Sequence, residues 1–106
     1  MNLPNNWTIE EQINFLQRRI IIWSIMYYEL DANIVSDRKF DSIAKQLVKM
    51  QSEHNDIMNT QYGYCMYDFD GTTGFDLYHR LNDSDKERLM KYAFHELKLN
   101  RKVKKK

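Results

Sequence analysis

The chain is 106 residues long, within the range of a single domain, and a domain of this size buries roughly two-thirds of the surface its unfolded chain exposes. Seven Tyr and six Met against three Gly and one Pro favour helices over a turn-rich β architecture, so the expected fold class is mostly α. A net charge of +1 excludes a global field for nucleic acid or an anionic membrane, and the lone Cys65 excludes an internal disulfide and points to a reducing compartment.

Residues Met1 to Trp7 lack the basic-then-apolar order of a signal peptide, and the longest mainly apolar run, Ile20 to Tyr28, is interrupted by Ser24 and too short to span a bilayer. A soluble, cytoplasmic protein without membrane contact is expected. Thr8 followed by Glu11 forms a capping-box pattern, because the Thr hydroxyl can accept from an orphan backbone N–H while Glu reaches back to the cap. From there Ile9, Ile13, Leu16, Ile20, Trp23 and Tyr27 form one apolar stripe over about five turns, with Phe15, Ile22 and Met26 beside it. A helix apolar on so much of its circumference should be central, with partners on two sides.

Asp31 to Val35 holds poor helix formers and β-branched residues, and Ser36 then offers a cap. The spacing predicts a short connection and a second helix from about Asp37 to Glu53, with Phe40, Ile43, Leu47 and Met50 facing the core. From His54 to Gly74 the helical period disappears among Tyr62, Gly63, Tyr64, Gly71 and Gly74, which predicts a Gly/Tyr-rich loop or a short hairpin. Cys65 within it reads as a small packing residue, and Tyr62, Tyr64 and Tyr67 offer stacking faces should the loop close over a ligand. Phe75, Leu77, Tyr78 and Leu81 predict a short helix. Ser84 with Glu87 repeats the capping box before Leu89, Met90, Ala93, Phe94 and Leu97, in a C-terminal helix expected to end near Leu99. The organisation is then one helical domain over 1–99 and a basic tail over 100–106. Lys98, Arg101, Lys102, Lys104, Lys105 and Lys106 crowd the last nine residues, and a solvated, disordered tail with weak affinity for nucleic acid is the expectation for them.

The stretch Tyr27-Tyr28-Glu29-Leu30-Asp31-Ala32-Asn33-Ile34-Val35-Ser36-Asp37-Arg38-Lys39-Phe40-Asp41 resembles the signature of domain Ia of NAD-dependent DNA ligases. That pattern is a Tyr pair or Tyr-His, two residues, Asp-x-Pro-x-Ile/Val, Ser/Pro-Asp, two residues and Tyr-Asp. With its flanking helices the resemblance covers roughly Ile9 to Glu53, and it implies a helical hairpin that closes over the nicotinamide mononucleotide half of NAD. It further implies that Tyr27, Tyr28, Asp37, Phe40 and Asp41 line the site. The side chains suit such a ligand, since aromatic faces attract a positively charged pyridinium ring and two carboxylates can pair with the same ring or accept from ribose hydroxyls. Phe40 stands where the family has Tyr, which removes a hydroxyl and keeps the face. Asn33 stands where Pro is usual, which relaxes the connection.

The family's nucleotidyl lysine sits in a Lys-x-Asp-Gly motif that the chain lacks, so a non-catalytic binding protein is expected in place of self-adenylation or nick sealing. Asp68-Phe69-Asp70-Gly71-Thr72 reproduces the first motif of haloacid-dehalogenase-type phosphatases, where Asp68 would be nucleophile and Asp70 general acid/base. That chemistry needs a strand before the motif and a doubly wound sheet after it, and the residues that follow read as helices; exposed turn residues are the simpler account. His54, His79 and His95 lack metal-ligand spacing, so no metal and no resident cofactor is expected. The leading expectation is a binder of a nicotinamide- or ADP-ribose-type nucleotide, of a kind suited to a phage protein that sequesters an NAD-derived immune signal. The alternative is a ligase-like module that has lost ligand binding and contacts a replication or repair protein, or a second copy of itself, through apolar helix faces.

Overall fold

Thr8 opens the first helix in the computed structural model, which describes residues 3–54, 56–72 and 74–104, with side chains through Leu99. Its hydroxyl accepts from Glu11 N at 3.1 Å and its own N–H donates to Glu11 Oε1 at 2.9 Å, so the predicted capping box is formed. Helix α1 runs Ile9–Ser24, and Ile13, Leu16, Ile20, Ile21 and Ile22 are all buried along it. Burying each such side chain contributes about 1.5–3 kcal/mol. α2 (Asp37–Glu53) packs on α1 through Ile43, Ala44 and Leu47, and α5 (Asp83–Lys104) packs on it through Leu89, Ala93 and Leu97. The central position expected for α1 follows from this double contact.

The ends of the predicted stripe do not hold. Ile9 is half exposed, and Tyr27 is 55% exposed while Met26 is buried in its place. At the second of these ends a π-helical turn, Ile25–Glu29, continues α1: Leu30 N donates to Ile25 O at 3.1 Å, a wider i→i+5 closure that breaks the 3.6-residue period there. Asp31 follows at φ +49°, and Ala32 N donates to Met26 O at 2.8 Å, so Asp31 fills the left-handed position that glycine commonly takes at a helix end.

Ser36 caps α2 as expected, its Oγ accepting from Lys39 N at 3.1 Å. Between α2 and α5 there is no strand among the described residues. A 3₁₀ turn at Ile57–Asn59 and the short helices α3 (Gly63–Met66) and α4 (Leu77–Arg80) take the place of the hairpin considered for His54 to Gly74. Buried amides hold this region down. Gln17 Nε2 donates to Gln51 Oε1 at 2.9 Å and to Thr60 Oγ1 at 3.0 Å, Gln17 Oε1 accepts from Tyr62 N at 3.2 Å, and Gln51 Nε2 donates to Met66 O at 3.0 Å. Gly63 is required there, because a Cβ would lie 1.9 Å from Ile57 O. Cys65 is buried as a packing residue should be, and burial pushes its thiol up to about 12.

Two expectations for the last helix are corrected. Its cap is Asn82, whose Oδ1 accepts from Asp85 N at 2.8 Å, and Ser84 lies inside the first turn. The helix continues to Lys104, past the expected stop near Leu99, because Arg and Lys are good helix formers, no Gly or Pro interrupts them, and cations suit the negative end of the helix dipole. Lys105 and Lys106 of the predicted tail lie outside the described residues. Phe94, placed in the core stripe by its spacing, is 57% exposed. No helix among the described residues is long and apolar enough to cross a membrane.

Candidate functional site

The π turn, the connection after it and the first turns of α2 enclose an open cleft of about 340 Å³. Trp23 and Ser24 at the end of α1, Tyr27 and Tyr28 of the π turn, Asn33 and Val35 of the connection, Asp37, Phe40 and Asp41 of α2, and Thr72 and Gly74 of the later loop line it. All five residues singled out in the sequence, Tyr27, Tyr28, Asp37, Phe40 and Asp41, therefore face one space. The π turn carries both tyrosines, and each is exposed on the cleft wall beside Trp23.

The aromatic rings are ordered against one another. Tyr27 and Tyr28 meet edge to face at 4.9 Å, Tyr28 meets Phe75 the same way at 5.5 Å, and Trp23 leans on Phe40 at 6.4 Å. Asp37 and Asp41 are one helical turn apart, both exposed, and neither carboxylate forms a hydrogen bond or ion pair with another described residue. Asn33 does more than relax the connection, since its Oδ1 accepts from Val35 N at 3.3 Å and ties the turn that Pro would otherwise stiffen.

Sequence reasoning missed the far wall. Gly74 crosses the end of α1 so closely that a Cβ would sit 1.9 Å from Ser24 Oγ, and Ser24 itself is fixed by donating to Ile20 O at 2.8 Å. Asp70 Oδ1 accepts from Thr72 Oγ1 at 2.6 Å and from Thr72 N at 3.0 Å, and these bonds hold the Asp70 carboxyl below its ordinary range. Asp70 thus shapes the turn that presents Thr72 to the cleft. Such contacts, spanning some 50 residues of sequence, leave no periodic signal; the glycines alone hinted at a close approach.

The loop tyrosines considered as extra stacking faces do not line the cleft. Tyr62 is buried with its hydroxyl accepting from Arg88 at 2.9 Å, Tyr64 donates to Asp85 at 2.6 Å, and Tyr67 is exposed elsewhere. Asp68, the would-be nucleophile, is bound by Arg80 at 2.5 Å, which lowers its carboxyl; with no strand before it among the described residues, the phosphatase geometry is not formed. No cluster of His, Cys, Asp and Glu among the described residues could hold a metal ion.

Residues 6–61 match the family model described as DNA ligase-like, N-terminal NAD+-binding domain. The chain belongs to this family. No curated protein and no solved structure matches it. The matched segment of this ligase-like, NAD+-binding family holds α1, the π turn, α2 and the 3₁₀ turn, and so nine of the eleven described lining residues. Thr72 and Gly74, with α3, α4 and α5, lie beyond it.

Proposed function

We propose that this chain binds a nicotinamide- or ADP-ribose-type nucleotide in the cleft between α1 and α2 and does not turn it over. The observation that carries this reading is the convergence of Tyr27, Tyr28, Asp37, Phe40 and Asp41 on one open cleft within the segment matched by an NAD+-binding family. Aromatic faces supply stacking, carboxylates supply acceptors for ribose hydroxyls or a carboxamide, and no Lys-x-Asp-Gly motif is present in the sequence to receive an adenylate. Binding without turnover amounts to sequestration, and a phage protein that withholds an NAD-derived immune signal is the setting we propose for it.

Thermal melts with NAD+, nicotinamide mononucleotide and a cyclic ADP-ribose test this reading. Free ligand at a hundred times its Kd should stabilise by about 2.7 kcal/mol, on the order of 10 °C in Tm for a domain of this size. No shift with any of the three sinks it. A second reading, a docking module for a replication or repair protein, is favoured by Tyr92, Phe94 and Leu99, which α5 leaves exposed outside the matched segment. It predicts that no nucleotide shifts the melt and that Phe94→Ser abolishes capture of the partner protein.

A further inference from the structure

We infer that the flank of α5 beside Arg18 of α1 is a docking surface for single-stranded nucleic acid, separate from the cleft and independent of what the cleft holds.

The net charge of +1 conceals a segregation. Six of the sixteen Lys and Arg, and none of the fifteen Asp and Glu, fall in residues 98–106, so the first 97 residues carry ten cations against fifteen acids, a net charge of −5. Cations that serve only to stabilise the negative end of a helix dipole belong in its last turn, beyond which the effect fades. Here they start earlier. Lys91, His95, Lys98 and Lys102 recur at intervals of four, three and four, the period of one helix face, and the first three are exposed. Lys91 is engaged only by a solvent-exposed pair with Glu87, worth little in water, and neither His95 nor Lys98 has an acidic partner among the described residues.

The first helix completes the surface. Arg18, Arg19 and Ile22 of α1 and Tyr92, His95 and Glu96 of α5 line a depression of about 240 Å³. Its one acid, Glu96, is neutralised by Arg19. Arg18 keeps its charge available: its guanidinium rests 5.8 Å from the centroid of the Phe15 ring, with no carboxylate on it among the described residues. On the same side of α1, Glu11 lies two turns away and is held at the Thr8 cap. Tyr92 is 44% exposed within this setting. Cations that follow a phosphate backbone, together with an exposed aromatic ring on which a base can stack, are what sequence-tolerant single-strand binding requires. A duplex keeps its bases stacked on one another and an acidic peptide has none, so either would use the charges and leave Tyr92 idle. Most of this surface belongs to α5, outside the segment 6–61 that matches the NAD+-binding family.

Fluorescence anisotropy of the full chain with a labelled oligothymidylate of roughly twenty nucleotides tests the inference, with a duplex of equal length for comparison and polyglutamate and phosphatidylserine vesicles as competitors. With about five phosphates neutralised, the slope of log K against log salt should be about −3.5, roughly a hundredfold loss of affinity between 50 and 200 mM NaCl. The single strand should bind at least about fivefold more tightly than the duplex. Tyr92→Ala should weaken single-strand binding about tenfold and leave the duplex unchanged, and Tyr92→Phe, which keeps the ring, should bind like the parent chain. Arg18→Gln/Lys98→Gln should flatten the salt slope by about 1.4, with circular dichroism checking the fold of each variant. No anisotropy change at 50 mM NaCl, duplex binding as tight as the single strand, displacement by polyglutamate or vesicles as effective per unit charge as by unlabelled oligothymidylate, or a folded Tyr92→Ala that binds like the parent chain would each overturn the inference. Nucleotide-induced melting shifts report the cleft and are read separately from all of these.

Discussion

Asp31 is held at φ +49°, where an L-residue crowds the following carbonyl, yet the bond from Ala32 N back to Met26 O, six residues earlier, goes with that conformation. Asp31→Gly should therefore raise stability by about 0.5–1 kcal/mol and Asp31→Val lower it by about 1–2 kcal/mol, read as shifts in urea midpoint at constant m-value. Gly74 tolerates the opposite change poorly. Gly74→Ala forces the new methyl against Ser24 Oγ, so a loss of about 1–3 kcal/mol and a displaced cleft wall with weaker ligand binding are expected, measured by melting with and without NAD+. Two acidic protons give a pH signature. Burial holds the Cys65 thiol near 12 against an ordinary 9.0, and burial with the hydrogen bond to Asp85 raises the Tyr64 hydroxyl above its ordinary 10.0. Both groups ionise earlier in the unfolded chain, which is thereby favoured as pH rises. Stability should hold below pH 9 and decline from there through pH 11, and Cys65→Ala should shift the onset upward in a melting-temperature profile.

Helices carry their own punctuation, which is why α1 and α2 are legible in the sequence. Thr8, Glu11 and Ser36 are side chains that satisfy orphan N–H groups within three residues of themselves, so a local pattern suffices to find them. The same local pattern selects Ser84 over Asn82 for α5, because both residues are good caps and the choice depends on Tyr64, whose hydroxyl accepts from Asn82 N at 3.1 Å from 18 positions away. The π turn is hidden too: nothing in Ile25 to Glu29 distinguishes i→i+5 from i→i+4 closure until the chain must turn toward α2. The five cleft residues are legible through a family pattern, whereas Thr72 and Gly74 require the fold. At this scale the buried amides of Gln17 and Gln51 are the most sensitive point. Gln17→Leu removes the donor to Gln51 and Thr60 and the acceptor for Tyr62 N, and each buried group left unpaired costs about 1–3 kcal/mol, so a loss of at least ~2 kcal/mol by denaturant titration is expected.

The whole molecule is organised around α1, which presents one flank to α2 and another to α5, with the ion pair of Arg19 and Glu96 bridging the second contact. The family match stops at residue 61, yet Leu89, Ala93 and Leu97 beyond it cover the same helix that carries Trp23. A fragment of residues 6–61 should accordingly keep much of its far-ultraviolet helical signal but lose cooperative unfolding, since its exposed isoleucines have no partner to replace α5. Cooperative melting of the fragment would show that α3 to α5 are dispensable.

Trp23, only 7% exposed at the floor of the cleft, has an optical consequence. Indole in its excited state donates an electron readily and pyridinium accepts one, so a cationic ring seated beside Trp23 would extinguish its emission outright, whereas a reduced ring, which absorbs where indole emits, would take up the excitation and re-emit it at longer wavelength. Trp7, the other indole, sits against Phe15 at the opposite end of α1, and Trp7→Phe would leave Trp23 as the lone emitter. Such a variant would report occupancy through the loss of indole emission and the oxidation state of the occupant through the longer-wavelength band, with no label attached.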